Sequence, residues 1–240
     1  MPKKETQGCF ILLCAKERQS KYESILKDLP HEVVLMDAYE PLVRRCIESP
    51  PTAVLVDMVT GTRLGSIKIA SLDALNAYWP VVRCNTAASG SVNVMHRDSQ
   101  KSDPLPETLD AIHRGDPSWE VSNSRGRYIR VAAQGRVRMK IKGDASWLPG
   151  NLVNLSMGGA FVLTYEPPAS GVGIFLEFID LQETPLRCEA QIVWTRQWKD
   201  GPQLPGIGVE LDPAALAPQL RQVLLEYLVD SFHHPTKHIK

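Results

Sequence analysis

Two clusters in this chain carry side chains suited to recognition chemistry. Arg125, Arg127 and Arg130 fall in one short run, Arg125-Gly126-Arg127-Tyr128-Ile129-Arg130-Val131. Further on, Asn154-Leu155-Ser156-Met157-Gly158-Gly159 sets an amide and a hydroxyl ahead of two glycines. A guanidinium makes paired, charge-assisted bonds to phosphate oxygens or to guanine O6 and N7, and its plane stacks on a base. Asn and Ser offer short donors and acceptors, and glycine permits positive φ or a close approach of backbone. Taken singly, each cluster also reads as ordinary structure: a solvated basic linker and a hairpin-like corner.

The elements around the clusters must position them. Leu152-Val153 before the corner and Ala160-Phe161-Val162-Leu163 after it are apolar and β-forming, so one strand runs into a polar turn and another leaves it. From Arg130 the hydropathy period is two. Val137, Met139 and Ile141 alternate with Arg136, Arg138, Lys140 and Lys142, giving a strand with one apolar and one basic face. A turn follows at Gly143-Asp144. Ile174, Leu176 and Phe178 alternate again, and Leu186, Cys188, Ala190, Ile192 and Trp194 read as the inward set of a long strand. Gly206 to Leu211 closes the series. Short strands at this spacing indicate a barrel or sandwich. Asp212-Pro213 reads as a helix start, with the stripe Leu216, Leu220, Val223, Leu224, Tyr227 and Leu228 behind it. His233, His234 and His238 stand in the tail.

An arginine cluster, an Asn-x-Ser-x-x-Gly corner, the Val193-Trp194 strand and Gly206-Ile207-Gly208-Val209-Glu210, in that order, resemble the PilZ domain. The resemblance covers about the C-terminal half. It implies a small β-barrel that binds the second messenger cyclic di-GMP, with arginines spaced Arg-x-x-x-Arg on the loop entering the first strand. The second arginine of that pair falls on Arg130. The first falls on Gly126, flanked by Arg125 and Arg127. The implied binding set is Arg125, Arg127, Arg130, Asn154, Ser156, Gly158 and Gly159.

The first half has a different rhythm. Phe10 to Cys14, Val33 to Met36 and Ala53 to Val56 are apolar runs of the kind buried on both faces of a parallel sheet. Helical patterns over 16–29, 41–48 and 64–78 alternate with them, and strands at 81–84 and 91–95 follow. Strands alternating with helices indicate an α/β layer. This order, with Asp57 ending the third strand and Thr86-Ala87 after the fourth, resembles a response-regulator receiver domain. In that family the aspartate accepts a phosphoryl group, which makes Asp57 a vestigial phosphoacceptor candidate. Phosphoryl transfer needs a metal to neutralise developing charge. The acidic pair that would hold it is replaced by Ala15-Lys16, with Glu17 beside them, and His96-Arg97 stands where the family has a lysine. The link between the last two strands is too short for a helix and favours a hairpin.

The expected fold is therefore α/β plus β: a receiver-like, flavodoxin-like parallel sheet domain over 1–112, a linker over 113–126, and a PilZ-like barrel with a C-terminal helix over 127–232. Residues 233–240 form a tail. Residues 101–124 are polar, carry Pro104, Pro106 and Pro117, and read mostly as linker, with a short helix over 107–113 and Trp119 packing on a domain.

Composition narrows the function classes. The chain has 240 residues and a formal net charge of zero, which argues against non-specific binding of a nucleic acid polymer. Its five cysteines include no C-x-x-C pair, so neither a zinc ribbon nor a disulfide framework is indicated, and no metal or cofactor is expected. No run is long enough to span a membrane and the N-terminus lacks a signal-peptide layout, so a cytoplasmic protein without membrane insertion is expected. No Ser/His/Asp or paired-carboxylate arrangement supports catalysis. The expectation is a non-enzymatic cyclic di-GMP receptor that reorders its domains to act on an unidentified protein partner. The alternative is a PilZ-like interaction adaptor that no longer binds nucleotide. A homodimer stays open to either.

Overall fold

A computed structural model describes residues 8–63, 74–87, 90–95, 102–119 and 128–234. The chain divides into two compact units, Met1–Arg127 and Tyr128–Lys240.

The first unit is built on a six-stranded sheet. Its strands are β1 (Cys9–Leu13), β2 (Glu32–Met36), β3 (Ala53–Asp57), β4 (Val81–Thr86), β5 (Val92–Met95) and β6 (Ser102–Pro104), in the order β2-β1-β3-β4-β5-β6. The first four are parallel. β1 and β3 are the continuous apolar runs of a sheet covered on both faces, whereas β2, expected to be equally buried, lies at the sheet edge and is only half-buried, and β4 alternates with Arg83 and Asn85 exposed. The last two are antiparallel, so the sheet is mixed. The short β4–β5 link forces the hairpin, because a parallel crossover needs a dozen or more residues. Helices α1 (Ser20–Leu26), α2 (Tyr39–Glu48) and α3 (Met58–Arg63) follow the first three strands. The helix expected over 64–78 falls mostly on residues outside those described.

Residues 102–113 belong to this unit's sheet and core: the short helix expected over 107–113 starts two residues earlier, and the polar stretch before it, which reads as linker, is an edge strand. Ser102–Pro104 becomes the edge strand, and α4 (Leu105–His113) buries Leu105, Leu109 and Ile112 among Phe10, Leu12 and Val94. The prolines that suggested linker sit where they are tolerated: Pro104 at the sheet edge and Pro106 in the first turn of α4. Trp119 packs on the same core.

The second unit is a closed antiparallel barrel. Its strands are β7 (Val131–Ile141), β8 (Leu148–Ser156), β9 (Gly159–Leu163), β10 (Gly173–Phe178), β11 (Leu186–Arg196) and β12 (Gly206–Glu210), in the ring order β10-β11-β12-β9-β8-β7. The period-two pattern places Met139, Ile174, Leu176, Ile192 and Ile207 inside with no measurable exposure. Helix α5 (Pro218–His233) packs on β7, β8 and β11 through Leu220, Leu224 and Leu228. It starts at Pro218, later than Asp212-Pro213 suggested. Asp212 caps only a single turn, donated to by the Ala214 and Ala215 amides, and Ala217 is then held extended before the proline.

Three pairings break simple alternation: β7 on β8 between Ala132 and Gly135, β8 on β9 between Leu152 and Asn154, and one in β11. The register of β11 on β12 shifts between Ile192 and Trp194, so a bulge turns Trp194 outward, 41% exposed, where alternation had placed it inward.

Candidate functional site

The corner between β8 and β9 is a tight, self-satisfied turn. Ser156 is buried and its hydroxyl donates to the Gly159 carbonyl at 3.0 Å. Neither Gly158 nor Gly159 has positive φ. What they supply is clearance: a Cβ on Gly159 would strike the Val209 carbonyl of β12, and one on Gly158 would strike the Tyr128 ring. Gly158 also accepts from the Leu211 amide at 3.0 Å. The corner is thus welded to β12 on one side and covered by Tyr128 on the other.

Arg130 reaches the corner from the segment before β7, and its Nη1 donates to Asn154 Oδ1 at 3.0 Å. Partial desolvation lowers its pKa, yet a guanidinium so far above neutrality keeps its charge. Arg130, Asn154 and Ser156 are therefore brought to one end of the barrel. Arg125 and Arg127, with Gly126 between them, lie outside the described residues.

The register extends this site beyond the residues the sequence indicated. Asn154 pairs with Phe161, Phe161 with Gly208, and Gly208 with Trp194, so one row crosses the outer face from β8 to β11. Gly208 leaves the middle of the row bare, and the Trp194 ring lies over it. Trp194 stacks on Phe161 with centroids 5.1 Å apart and planes 24° apart, and the Arg196 guanidinium sits 5.1 Å from the Phe161 centroid. The available signal was Gly206-x-Gly208: two glycines on one face of a barrel strand leave a floor for neighbouring rings.

Asp57 is a different kind of place. It is fully buried, and its two oxygens take five donors. Arg18 binds it through Nε at 3.0 Å and Nη2 at 2.9 Å, Tyr22 through its hydroxyl at 2.6 Å, and Thr60 through amide and hydroxyl, both at 2.8 Å. Arg18 Nη2 also reaches Thr86 Oγ1 at 3.3 Å. Burial pushes this carboxyl up, but the bonds from Arg18, Tyr22 and Thr60 together hold it below the ordinary value. Arg18 supplies the positive charge beside the carboxylate, and Glu17 turns away to pair with Arg63 at 2.6 Å. Among the described residues no group of three or more His, Cys, Asp or Glu side chains is placed to hold a metal ion. Burial raises the thiols, Cys14 to about 11 and Cys46, Cys84 and Cys188 to about 12, so none is a ready nucleophile at neutral pH.

The family model for the PilZ domain matches residues 124–230, which span the barrel, the arginine segment and most of α5. Residues 124–230 form a PilZ domain. No curated protein matches the chain. Among solved structures, the PilZ domain with c-di-GMP of YcgR from Escherichia coli is 20% identical, with 45% of this chain and 91% of that one covered at a TM-score of 0.37. The PilZ domain of CeSA from a cellulose-synthesizing bacterium is 21% identical over 44% of this chain and 99% of that one, at 0.32. The Bacillus subtilis inhibitor of motility MotI/DgrA is 15% identical over 60% and 68%, at 0.39. In this PilZ domain the corner and Arg130 meet at the end of the barrel where the chain enters it, and the Phe161–Trp194 row leads away across the outer face. No helix among the described residues is long and apolar enough to cross a membrane.

Proposed function

We propose that this chain is a cyclic di-GMP receptor, with the nucleotide held on the PilZ barrel between Arg130, the Asn154–Gly159 corner and the Phe161–Trp194 row. The observation that carries the reading is the Arg130–Asn154 hydrogen bond at 3.0 Å beside a stacked aromatic pair, the half-buried Phe161 and the exposed Trp194. It joins a fixed cation, an amide and flat rings, which suit the phosphates, edges and faces of a guanine dinucleotide. Arg125 and Arg127 supply the further cations from the linker. Ser156 and Gly159 act by holding the turn, and Gly158 makes room for the Tyr128 ring that covers it. Ligand binding at the linker arginines and the corner signals to a protein partner through the two units, without catalysis.

Calorimetric titration with cyclic di-GMP tests this. The parent chain is expected to bind at micromolar concentrations or tighter. Arg130→Ala should lose about 1–3 kcal/mol, one to two decades of affinity. Trp194→Ala should lose a similar amount, as removal of a base-stacking ring does, about 1–3 kcal/mol. No heat and no thermal stabilisation at high ligand would sink the proposal. Gly126, at the first position of the arginine pair, favours the second reading, an adaptor that docks proteins without nucleotide. That reading predicts the negative titration.

A further inference from the structure

The barrel face farthest from the Asn154–Trp194 row carries a second organised cluster. In the ring order, β10 stands three strands from β9 in either direction. Across β7, β10 and β11, Arg138 pairs with Glu177 and Glu177 with Arg187 in one row. Lys140, Phe175 and Glu189 form the next row. Glu177 is only 4% exposed although its row faces outward, and both arginines that flank it bind its carboxylate and lie against the Trp147 indole. The indole is 5.0 Å from the Arg138 guanidinium and 4.8 Å from that of Arg187. Arg138 Nε and Arg187 Nη2 both donate to the Glu177 carboxylate, Arg187 at 3.0 Å.

This is more than a solvated basic strand. A buried carboxylate and a shared indole fix two guanidinium groups in place, while 44% and 54% of their side-chain surface stays exposed. Each spends one nitrogen on Glu177, and the others have no hydrogen-bond partner among the described residues. Lys140 alongside likewise has none, and Lys142 sits over the Phe175 ring, 5.6 Å from its centroid, while pairing with Glu189. The remaining acid, Asp180, is taken by Arg136 at 2.7 Å. On the strands of this face both acids, Glu177 and Glu189, are thus already paired, and the bases Arg136, Arg138, Lys140, Lys142 and Arg187 outnumber them.

We infer that this β7–β10–β11 face is a docking surface for an acidic, partly apolar segment of a partner protein. Carboxylates would take the unused N–H groups of Arg138 and Arg187, and apolar side chains would lie on Trp147 and Phe175. Preorganised Arg and Trp side chains are the kind that dominate binding energy at protein interfaces, because little freedom remains to be lost on contact. The surplus charge selects the sign of the partner. The inference stands apart from nucleotide binding, since the two faces lie on opposite sides of the barrel.

The test is titration of the full chain with a short peptide of Glu, Asp and Leu, without aromatic residues, followed by tryptophan fluorescence and calorimetry. Saturable binding at sub-millimolar concentration is expected, weakened by salt. Arg138→Gln and Arg187→Gln, each leaving one arginine for Glu177, should weaken it at least about tenfold. Arg130→Ala should leave it unchanged. Glu177→Gln separates organisation from charge: it makes the face more positive, yet it should weaken binding because the arginines lose their anchor. No saturable binding, equal affinity in the arginine variants, tighter binding by Glu177→Gln, or displacement by millimolar inorganic phosphate would each overturn the inference.

Discussion

At the scale of single residues, Asp57 shows how a reactive group becomes a structural one. A carboxylate with five donors on its oxygens has no unengaged lone pair directed at a substrate, and its charge is matched by Arg18 within the fold. Arg18→Ala strands a buried charge and should cost about 3–5 kcal/mol, read from urea unfolding. The pH dependence follows from the lowered carboxyl: the stabilisation is complete above the unfolded value of about 3.9 and is lost as pH falls through the folded one. An Arg18→Ala chain should therefore show a flatter acid limb than the parent. Gly159→Ala tests the corner in the same terms. Its Cβ meets the Val209 carbonyl, which is backbone and cannot swing aside, so a loss of about 1–3 kcal/mol is expected in chemical unfolding. Equal unfolding midpoints would show that β12 shifts freely.

At the scale of elements, the barrel's outer ladder makes a second prediction in pH. The hydrogen bond from Arg138 is the largest influence lowering Glu177, opposed by desolvation and reinforced by Arg187. A depressed carboxyl contributes above its unfolded pKa and ceases to contribute as pH falls through the folded one. The urea midpoint of the barrel should accordingly fall on acidification, and Glu177→Gln should remove part of that fall. Much of this architecture was legible in the sequence, for a physical reason. Strands with one wet face write their period directly, as Val137, Met139 and Ile141 do against Arg136, Arg138 and Lys140. The buried runs of β1 and β3 are equally plain, while the apolar run of β2 is only half-buried because it takes the sheet edge. What was illegible depends on register and on tertiary neighbours. The β11 bulge that turns Trp194 outward has no local signature, and β6 was hidden by a proline that also occurs in linkers, although the helix after it was legible over 107–113. For the candidate site, Arg130, Asn154 and Ser156 were legible as a motif. Phe161 and Trp194 were not, because only strand pairing puts them in line with Asn154.

At the scale of the whole molecule, each unit has its own core, one around Phe10, Leu12 and Val94 and the other inside the barrel. A chain of residues 128–240 should therefore unfold in one cooperative urea transition, and a broad, non-cooperative curve would show that the barrel leans on the first unit. The barrel's closure has a further consequence, of a mechanical kind. β7 is the first strand after the linker, and it also completes the ring. Yet only Val137 to Ile141 are paired with β10, while Val131 and Ala132 at the linker end are paired with β8 alone. Near its middle the Ile179 amide donates to the Arg136 carbonyl at 3.0 Å. A pull entering at Tyr128 is thus borne first by half a strand, on a single ladder of bonds, with the Tyr128 ring on Gly158, the buried Ile129 and the Arg130–Asn154 contact ahead of it. Force arriving there loads the bonds to β8 before those to β10, so the closure of the ring is the last seam to feel it.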